Sequence, residues 1–309
     1  MGALRHLYLK IEGLNPAGSI KFTAARGMIE AAERDGLLHA DPARPPSRLI
    51  ESTSGNLGVA LAGLCAARGY ALTCVVDPNT NRAAIATMRS LGAEVEMVTE
   101  RDANGGFLGS RIAHLRARLA ADPGLVWLNQ YANPANPAAH ADRTAPEILG
   151  AFHRVDYLFI GTGTGGTLMG CVQAFHRHSP HTRIVAVDAL GSVTFGAAPA
   201  TRHVPGLGTS RRPEIVDVCA PDDVIHVAEA DTVTECRRLA RSTGLLAGGS
   251  TGTVLAAVRR LSTVIPARAT VVAISPDLGE RYLESIYDDE WIANRGLAGP
   301  TEENTDVLV

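Results

Sequence analysis

The sequence predicts an α/β protein built from two doubly wound, parallel-sheet lobes. Three observations lead there. Short β-rich runs alternate with helical ones along most of the 309 residues, which is the pattern of a parallel sheet covered by helices. Two strand-to-helix junctions, 52–58 and 161–167, are rich in glycine and hydroxyl residues, so backbone N–H groups can converge there at a helix start. Prolines and asparagines over 133–137 mark a crossover between lobes, and at roughly 150 residues per domain the length accommodates about two.

Leu7, Leu9 and Ile11 alternate with Tyr8, Lys10 and Glu12. A period of two reads as a strand and turns Lys10 away from the leucines, toward solvent. Asn15, Pro16 and Gly18 break this strand. An alanine- and glutamate-rich helix is predicted over 22–38, followed by a proline-containing loop over 39–47. Strands over 49–51, 72–76 and 94–98 lead into helices over 57–68, over 82–91 and over a span ending at Leu119. Beyond the crossover, 155–160, 183–187, 224–227 and 270–274 are further strands beside helical segments. The polar tail over 297–309 is expected to be loose.

Composition narrows the function. An apolar fraction of 46% and a net charge of −3 imply no broad basic surface, so nucleic acid is not an expected partner. The five cysteines are scattered and form no C-x-x-C pair. That argues against a metal site or a disulfide framework and fits a reducing cytoplasm. No run approaches 18 apolar residues and no signal-peptide pattern is apparent, so neither a membrane span nor export is expected.

Only two lysines occur, Lys10 and Lys21; arginine supplies the other strong positive charge. Lys21 closes the junction Asn15-Pro16-Ala17-Gly18-Ser19-Ile20-Lys21. Arginine stays protonated, whereas a lysine amine can be desolvated, deprotonated and made nucleophilic. Lys21 is therefore the candidate catalytic amine, against the plainer alternative of an ordinary surface lysine. In the second junction, Gly163, Gly165 and Gly166 let N–H groups surround an anion, and Thr164 and Thr167 add hydroxyls. Read as G-x-G-x-x-G, the run could instead be a dinucleotide fingerprint with Asp188 on a ribose, which leaves Lys21 unexplained. Thr53, Ser54, Gly55 and Asn56 could hold a carboxylate or could simply cap a helix.

Together these motifs resemble the cysteine synthase / cystathionine β-synthase family, the β-replacement group of fold-type II (tryptophan synthase β-like) pyridoxal-phosphate (PLP) enzymes. The resemblance runs from about Leu7 to about Ile292. It implies PLP as cofactor, Lys21 as its Schiff-base lysine, and Gly163, Thr164, Gly165, Gly166 and Thr167 as the phosphate loop. It also implies Asn56 facing the cofactor's 3′-oxygen, with Thr53, Ser54, Gly55 and Gln130 gripping the substrate α-carboxylate. A mobile smaller lobe over 15–133 would close on a larger cofactor-binding lobe formed by 1–14 and 134–309. The reaction implied is β-replacement on an activated L-serine through an aminoacrylate, with Lys21 as the base for the α-proton.

Departures from the usual pattern carry the substrate information. Asp277 stands where many members have the serine that meets the pyridine nitrogen. In members sharing this acidic residue, a serine in a Gly-x-Ser-Thr-Gly run serves instead, here Ser250. Ser250 is the expected partner, with a helix cap or a role for Asp277 itself as alternatives. Arg211 and Arg212, next to Gly206-Leu207-Gly208-Thr209-Ser210, would suit an anionic substrate, or would be a solvated pair. With Ile286-Tyr287-Asp288-Asp289-Glu290-Trp291, these features resemble the branch that makes 2,3-diaminopropionate precursors for siderophores or peptide antibiotics. Its members, the N-(2-amino-2-carboxyethyl)-L-glutamate synthases, join O-phospho-L-serine to L-glutamate. Cysteine synthase chemistry on O-acetylserine or O-phosphoserine is the alternative, and a non-catalytic binder that kept the fold is a third. A homodimer is expected. The family usually begins with an Ile-Gly-Asn-Thr-Pro-Leu-type segment before the strand at Leu7, so either the start lies upstream of Met1 or a piece that often supports the dimer is missing.

Overall fold

The computed structural model describes residues 6–39, 41, 43–103 and 105–298. The start of the chain and the tail beyond residue 298, both subjects of the expectations above, lie outside the described residues.

Strand β1 (Leu7–Ile11) leads through the 12–20 turn to helix α1 (Lys21–Arg34). The helix stops four residues before the predicted Leu38, because Gly36 takes φ +72° and turns the chain, a conformation glycine adopts without a Cβ penalty. Four strands then alternate with helices: β2 (Arg48–Ser52), α2 (Asn56–Arg68), β3 (Ala71–Val76), α3 (Arg82–Ser90), β4 (Glu94–Met97), α4 (Leu108–Ala121) and the two-residue edge strand β5 (Leu125–Val126). They form a parallel sheet of order β4-β3-β2-β5.

The rest of the chain builds a second parallel sheet. Short helices α5 (Ala135–Ala139) and α6 (Ala145–Ala151) flank a π-helical turn over His140–Thr144. Then follow β6 (Tyr157–Gly161), α7 (Gly166–His178), β7 (Arg183–Ala189), β8 (Asp223–Val227), α8 (Glu229–Thr243), α9 (Gly249–Leu261), β9 (Val271–Ser275) and α10 (Asp289–Ala293). The order β1-β9-β6-β7-β8 takes β1 out of the first segment of the chain and pairs Leu7 with Val271 and Ile11 with Ser275.

Helices cover both faces of each sheet, so the inner strands β3, β6, β7 and β9 are largely apolar on both sides. In the larger sheet Leu158 and Ile160 pack toward α7, whereas Phe159 between them packs toward α9, as the two-residue period of a strand requires. In the smaller sheet Leu49 joins the α1–α2 core, while Ile50 and Val75 meet Leu115 of α4 on the opposite face. Lys10 departs from its expected solvent position. Its Nζ pairs with Glu12 (2.7 Å) and with Glu147 of α6 (2.5 Å), and the two carboxylates raise its pKa against the opposing effect of burial.

Candidate active site

A cavity of about 130 Å³ lies where the C-terminal ends of the two sheets face each other, the usual place for a ligand in open α/β sheets. Lys21 is the first residue of α1 and is half-buried at the cavity wall, with Nζ 3.4 Å from Thr164 Oγ1. Desolvation alone lowers its pKa to about 8, because burial disfavours the charged ammonium.

Two helix N-termini contribute to the cavity wall. On one side, Gly165 caps α7 with φ +88°, and a Cβ there would stand 2.2 Å from Val216 Cγ2. A Cβ on Gly166 would be 2.0 Å from Asn136 Oδ1, and one on Gly163 would be 2.8 Å from the Gly206 carbonyl oxygen. These glycines leave room for backbone N–H groups to close on an anion. On the other side, Thr53 Oγ1 accepts hydrogen bonds from Gly55 N–H and Gly58 N–H, each at 3.0 Å. The Thr53 hydroxyl thus shapes the loop before α2. Gln130 Nε2 donates to the Ser52 carbonyl (3.0 Å), and Asn136 Nδ2 donates to the Gln130 carbonyl (2.8 Å). This chain of bonds ties the two walls together.

A third wall comes from the end of β9. Ser250 Oγ donates to Asp277 Oδ1 at 3.4 Å, while Asp277 Oδ2 accepts from Asn56 Nδ2 (2.7 Å) and from the Tyr282 hydroxyl. Burial raises the Asp277 carboxyl above its usual range, opposed by the hydrogen bonds from Tyr282 and Asn56. Arg281 Nη1 donates to Asn56 Oδ1 at 2.6 Å, so both ends of the Asn56 amide are engaged.

A desolvated amine facing a glycine-built anion cradle, with a second N–H-rich loop opposite, is the arrangement that a phosphorylated aldehyde cofactor and an amino acid would need. The family described as pyridoxal-phosphate dependent enzyme matches residues 2–277. This chain belongs to that family. It is 44% identical over 293 residues to N-(2-amino-2-carboxyethyl)-L-glutamate synthase of Ralstonia nicotianae, covering 94% of this chain and 85% of that protein. Of solved structures, O-ureido-L-serine synthase is 32% identical with a TM-score of 0.81, covering 93% of this chain and 91% of the other. O-acetylserine dependent cystathionine beta-synthase from Helicobacter pylori is 28% identical with a TM-score of 0.83, covering 93% and 92%. The fold is that of the fold-type II PLP enzymes.

The residues present fit PLP. The cradle formed by Gly163, Gly165 and Gly166 has no space for side chains, and Lys21 stands in the same cavity as Thr164 and Thr167. Ser54, Gly55, Asn56, Gln130 and Ser250 also line it. Arg211 and Arg212 do not line it. Arg211 Nη2 pairs with Glu214 (2.6 Å) on the surface, and Arg212 Nε donates to the Thr194 carbonyl at 3.3 Å.

Residues that the sequence reading did not single out stand closer. A second cavity of about 250 Å³ shares Ser54, Tyr131 and the 205–209 loop with the first. Arg111 of α4 is on its wall, 5% exposed, with Nε 3.2 Å from Asp77 Oδ2. Its Nε and Nη1 have no hydrogen-bond partner among the described residues. Beneath the cradle, His140 Nδ1 lies 2.9 Å from Thr144 Oγ1 and Nε2 lies 3.4 Å from Thr167 Oγ1. Burial lowers its pKa to about 3, so the ring is neutral. Arg111 reads locally as one more arginine of an amphipathic helix, and no sequence signal distinguished it; His140 had only its place after the 133–137 crossover.

Proposed function

We propose that the chain catalyses PLP-dependent β-replacement on an activated L-serine, with O-phospho-L-serine as donor and the amino group of L-glutamate as nucleophile, yielding N-(2-amino-2-carboxyethyl)-L-glutamate. The observation that carries this reading is Lys21, half-buried beside Thr164 in a cavity walled by two helix N-termini. Bound PLP supplies the electron sink that makes the substrate α-carbon acidic and lets a β-substituent leave. The residues of the chain do the rest.

Gly163, Thr164, Gly165, Gly166 and Thr167 hold the phosphate through backbone N–H groups and hydroxyls at the start of α7. Ser250 meets the pyridine nitrogen, and Asn56 faces the ring oxygen. Thr53, Ser54, Gly55 and Gln130 receive the α-carboxylate at the start of α2. Lys21, with its pKa lowered to about 8, is in part a neutral amine near pH 7. It can therefore anchor the cofactor, then take the α-proton at Nζ and return it at the end. The Cβ–O bond breaks with the electron pair leaving on phosphate, and the new C–N bond forms at the same β-carbon.

The choice of a phosphorylated donor is favoured by Arg111. A guanidinium on the wall of the second cavity suits a dianion better than an acetyl ester. The 44% identity to N-(2-amino-2-carboxyethyl)-L-glutamate synthase supports the same choice. Cysteine synthesis from O-acetylserine is the second reading, favoured by the likeness to an O-acetylserine dependent enzyme. The smaller lobe, 15–133, closes over the substrate against 1–14 and 134–309, and the enzyme works as a cytoplasmic homodimer. All five cysteines are free thiols. No described helix is long and apolar enough to cross a membrane. The deciding experiment offers the PLP-loaded protein O-phospho-L-serine or O-acetyl-L-serine, each with L-glutamate or sulfide. Product from the acetyl ester and sulfide alone overturns the primary reading.

A further inference from the structure

Glu51 has no part in the steps above, and its burial needs a reason. It is 1% exposed on β2, directly before the carboxylate loop, and lines neither cavity. Its Oε1 accepts from Ser52 N–H and from Trp127 Nε1, each at 3.0 Å. The backbone N–H groups of Asn129 and Gln130 also face the carboxylate and favour its charged form. Oε2 makes no hydrogen bond of normal geometry among the described residues. A carboxylate is thus held in the interior by donors from two segments, the start of the 52–56 loop and the turn over 127–131.

That turn bends sharply at Asn129. Asn129 takes φ +52°, a left-handed geometry that asparagine tolerates better than most non-glycine residues. The next two residues, Gln130 and Tyr131, reach the cavity: Gln130 through the carboxylate site, Tyr131 beside Ser54 where the two cavities meet.

We propose that Glu51 is a positioning residue whose carboxylate clamps the 127–131 turn against the 52–56 loop, and so fixes Gln130 and Tyr131 for binding the amino-acid donor. The inference rests on the proposed role of Gln130 and the 53–56 loop in gripping the α-carboxylate. Charge on Glu51 strengthens every bond it accepts, and protonation removes that strengthening. Burial sets the carboxyl at about 7, so the clamp loosens as pH falls through that value. The titratable and charged groups nearby are Cys74 on β3, whose thiol burial keeps protonated, Tyr131, also raised by burial, and the Arg111–Asp77 pair between α4 and the end of β3. Cys74 and Tyr131 are neutral across the range in which Glu51 titrates.

The test compares wild type with Glu51→Gln and Glu51→Ala, each loaded with PLP, using whichever donor the wild type accepts. Glu51→Gln preserves shape and mimics the protonated clamp. Its donor KM at pH 8 should rise about fivefold with kcat changed less than about twofold, its cofactor affinity should match wild type, and the inflection near 7 in kcat/KM should disappear. Glu51→Ala should raise KM further. A wild-type KM and an unchanged pH profile in Glu51→Gln, with only the melting temperature altered, would overturn the inference and leave Glu51 as packing. Should Glu51→Ala fail to fold, Glu51→Gln alone decides. Wild type turning over no serine donor would defeat the functional reading instead, an outcome separate from the one that defeats the clamp.

Discussion

Asn56 and Asp277 meet across 2.7 Å, joining the first residue of α2 in the smaller sheet's layer to the segment just after β9 in the larger one. The same carboxylate accepts from Tyr282 and, at longer range, from Ser250. The two side chains assigned to opposite sides of the cofactor ring therefore share one buried anchor. Asp277→Ala would leave donors of Asn56 and Tyr282 unsatisfied, at about 1–3 kcal/mol each. The expected result is a fall of about tenfold or more in PLP affinity, measured by titrating the apo-protein. Ser250→Ala keeps that anchor and should change the absorption spectrum of the bound cofactor more than its affinity.

Covalent attachment should be confined to Lys21. Lys10 is held charged by Glu12 and Glu147, whereas Lys21 is the amine that burial favours in its neutral form. Borohydride reduction of the PLP-loaded protein followed by peptide mass analysis should find the cofactor on residue 21 and not on residue 10. Lys21→Arg keeps a positive charge but supplies neither imine nor base, and turnover should fall by about a thousandfold or more.

The pH dependence of apo-protein follows from the same lysine. Its folded pKa, about 8, lies below the ordinary value of 10.5, so the unfolded chain binds the proton more tightly. Lys21 therefore costs stability below pH 8, and that cost is relieved as pH rises from about 8 to 10.5. Cofactor capture needs the neutral amine. Its rate should climb close to tenfold per unit up to about pH 8 and level off above, as read by stopped-flow absorbance; a flat profile would show that Lys21 is not the capturing group.

Several of these residues could be found without a structure because their signal is local. A helix N-terminus with glycines and hydroxyls announces an anion site over a handful of residues, and Gly163, Thr164 and Asn56, which carry that pattern, line one cavity. A lysine kept among arginines marked Lys21. Lys10 misled because its partner Glu147 is 137 residues away, and alternation within one strand says nothing of what crosses its outer face. The helix end at Arg34 was missed because a pattern of apolar residues does not register the reversal at Gly36. Arg111 was invisible for the same reason as Lys10: its ion-pair partner Asp77 and the other residues of its cavity wall are far away in sequence. Arg211 and Arg212 adjoin a glycine-rich segment in sequence, yet neither side chain lines the cavities that segment borders.

Replacement of Gly166 should separate cofactor binding from folding. In Gly166→Ala the new Cβ would sit 2.0 Å from Asn136 Oδ1, and Asn136 is the residue that bonds the Gln130 carbonyl. Overpacking of this kind costs about 1–3 kcal/mol. Affinity for PLP, and for inorganic phosphate as a competitor, should fall together by about tenfold. If phosphate protection of the apo-protein survives the substitution, the cradle lies elsewhere.

Donor choice gives the sharpest contrast between arginines. Arg211 and Arg212 stand off the cavity wall, one paired with Glu214 and the other with the Thr194 carbonyl. Arg211→Ala and Arg212→Ala should leave the KM for O-phospho-L-serine within about twofold, since exposed ion pairs contribute about 1 kcal/mol or less. Arg111 is different in kind. Its removal would strand Asp77 as an unpaired buried charge, which costs about 3–5 kcal/mol, so Arg111→Ala would confuse folding with binding. Arg111→Lys keeps the charge opposite Asp77 but loses the fork that reaches two phosphate oxygens. It should raise the KM for O-phospho-L-serine about tenfold or more while leaving that for O-acetyl-L-serine nearly unchanged. Equal effects on both donors would mean that Arg111 supports the wall without reading the leaving group, and the preference for a phosphorylated donor would lose its physical basis.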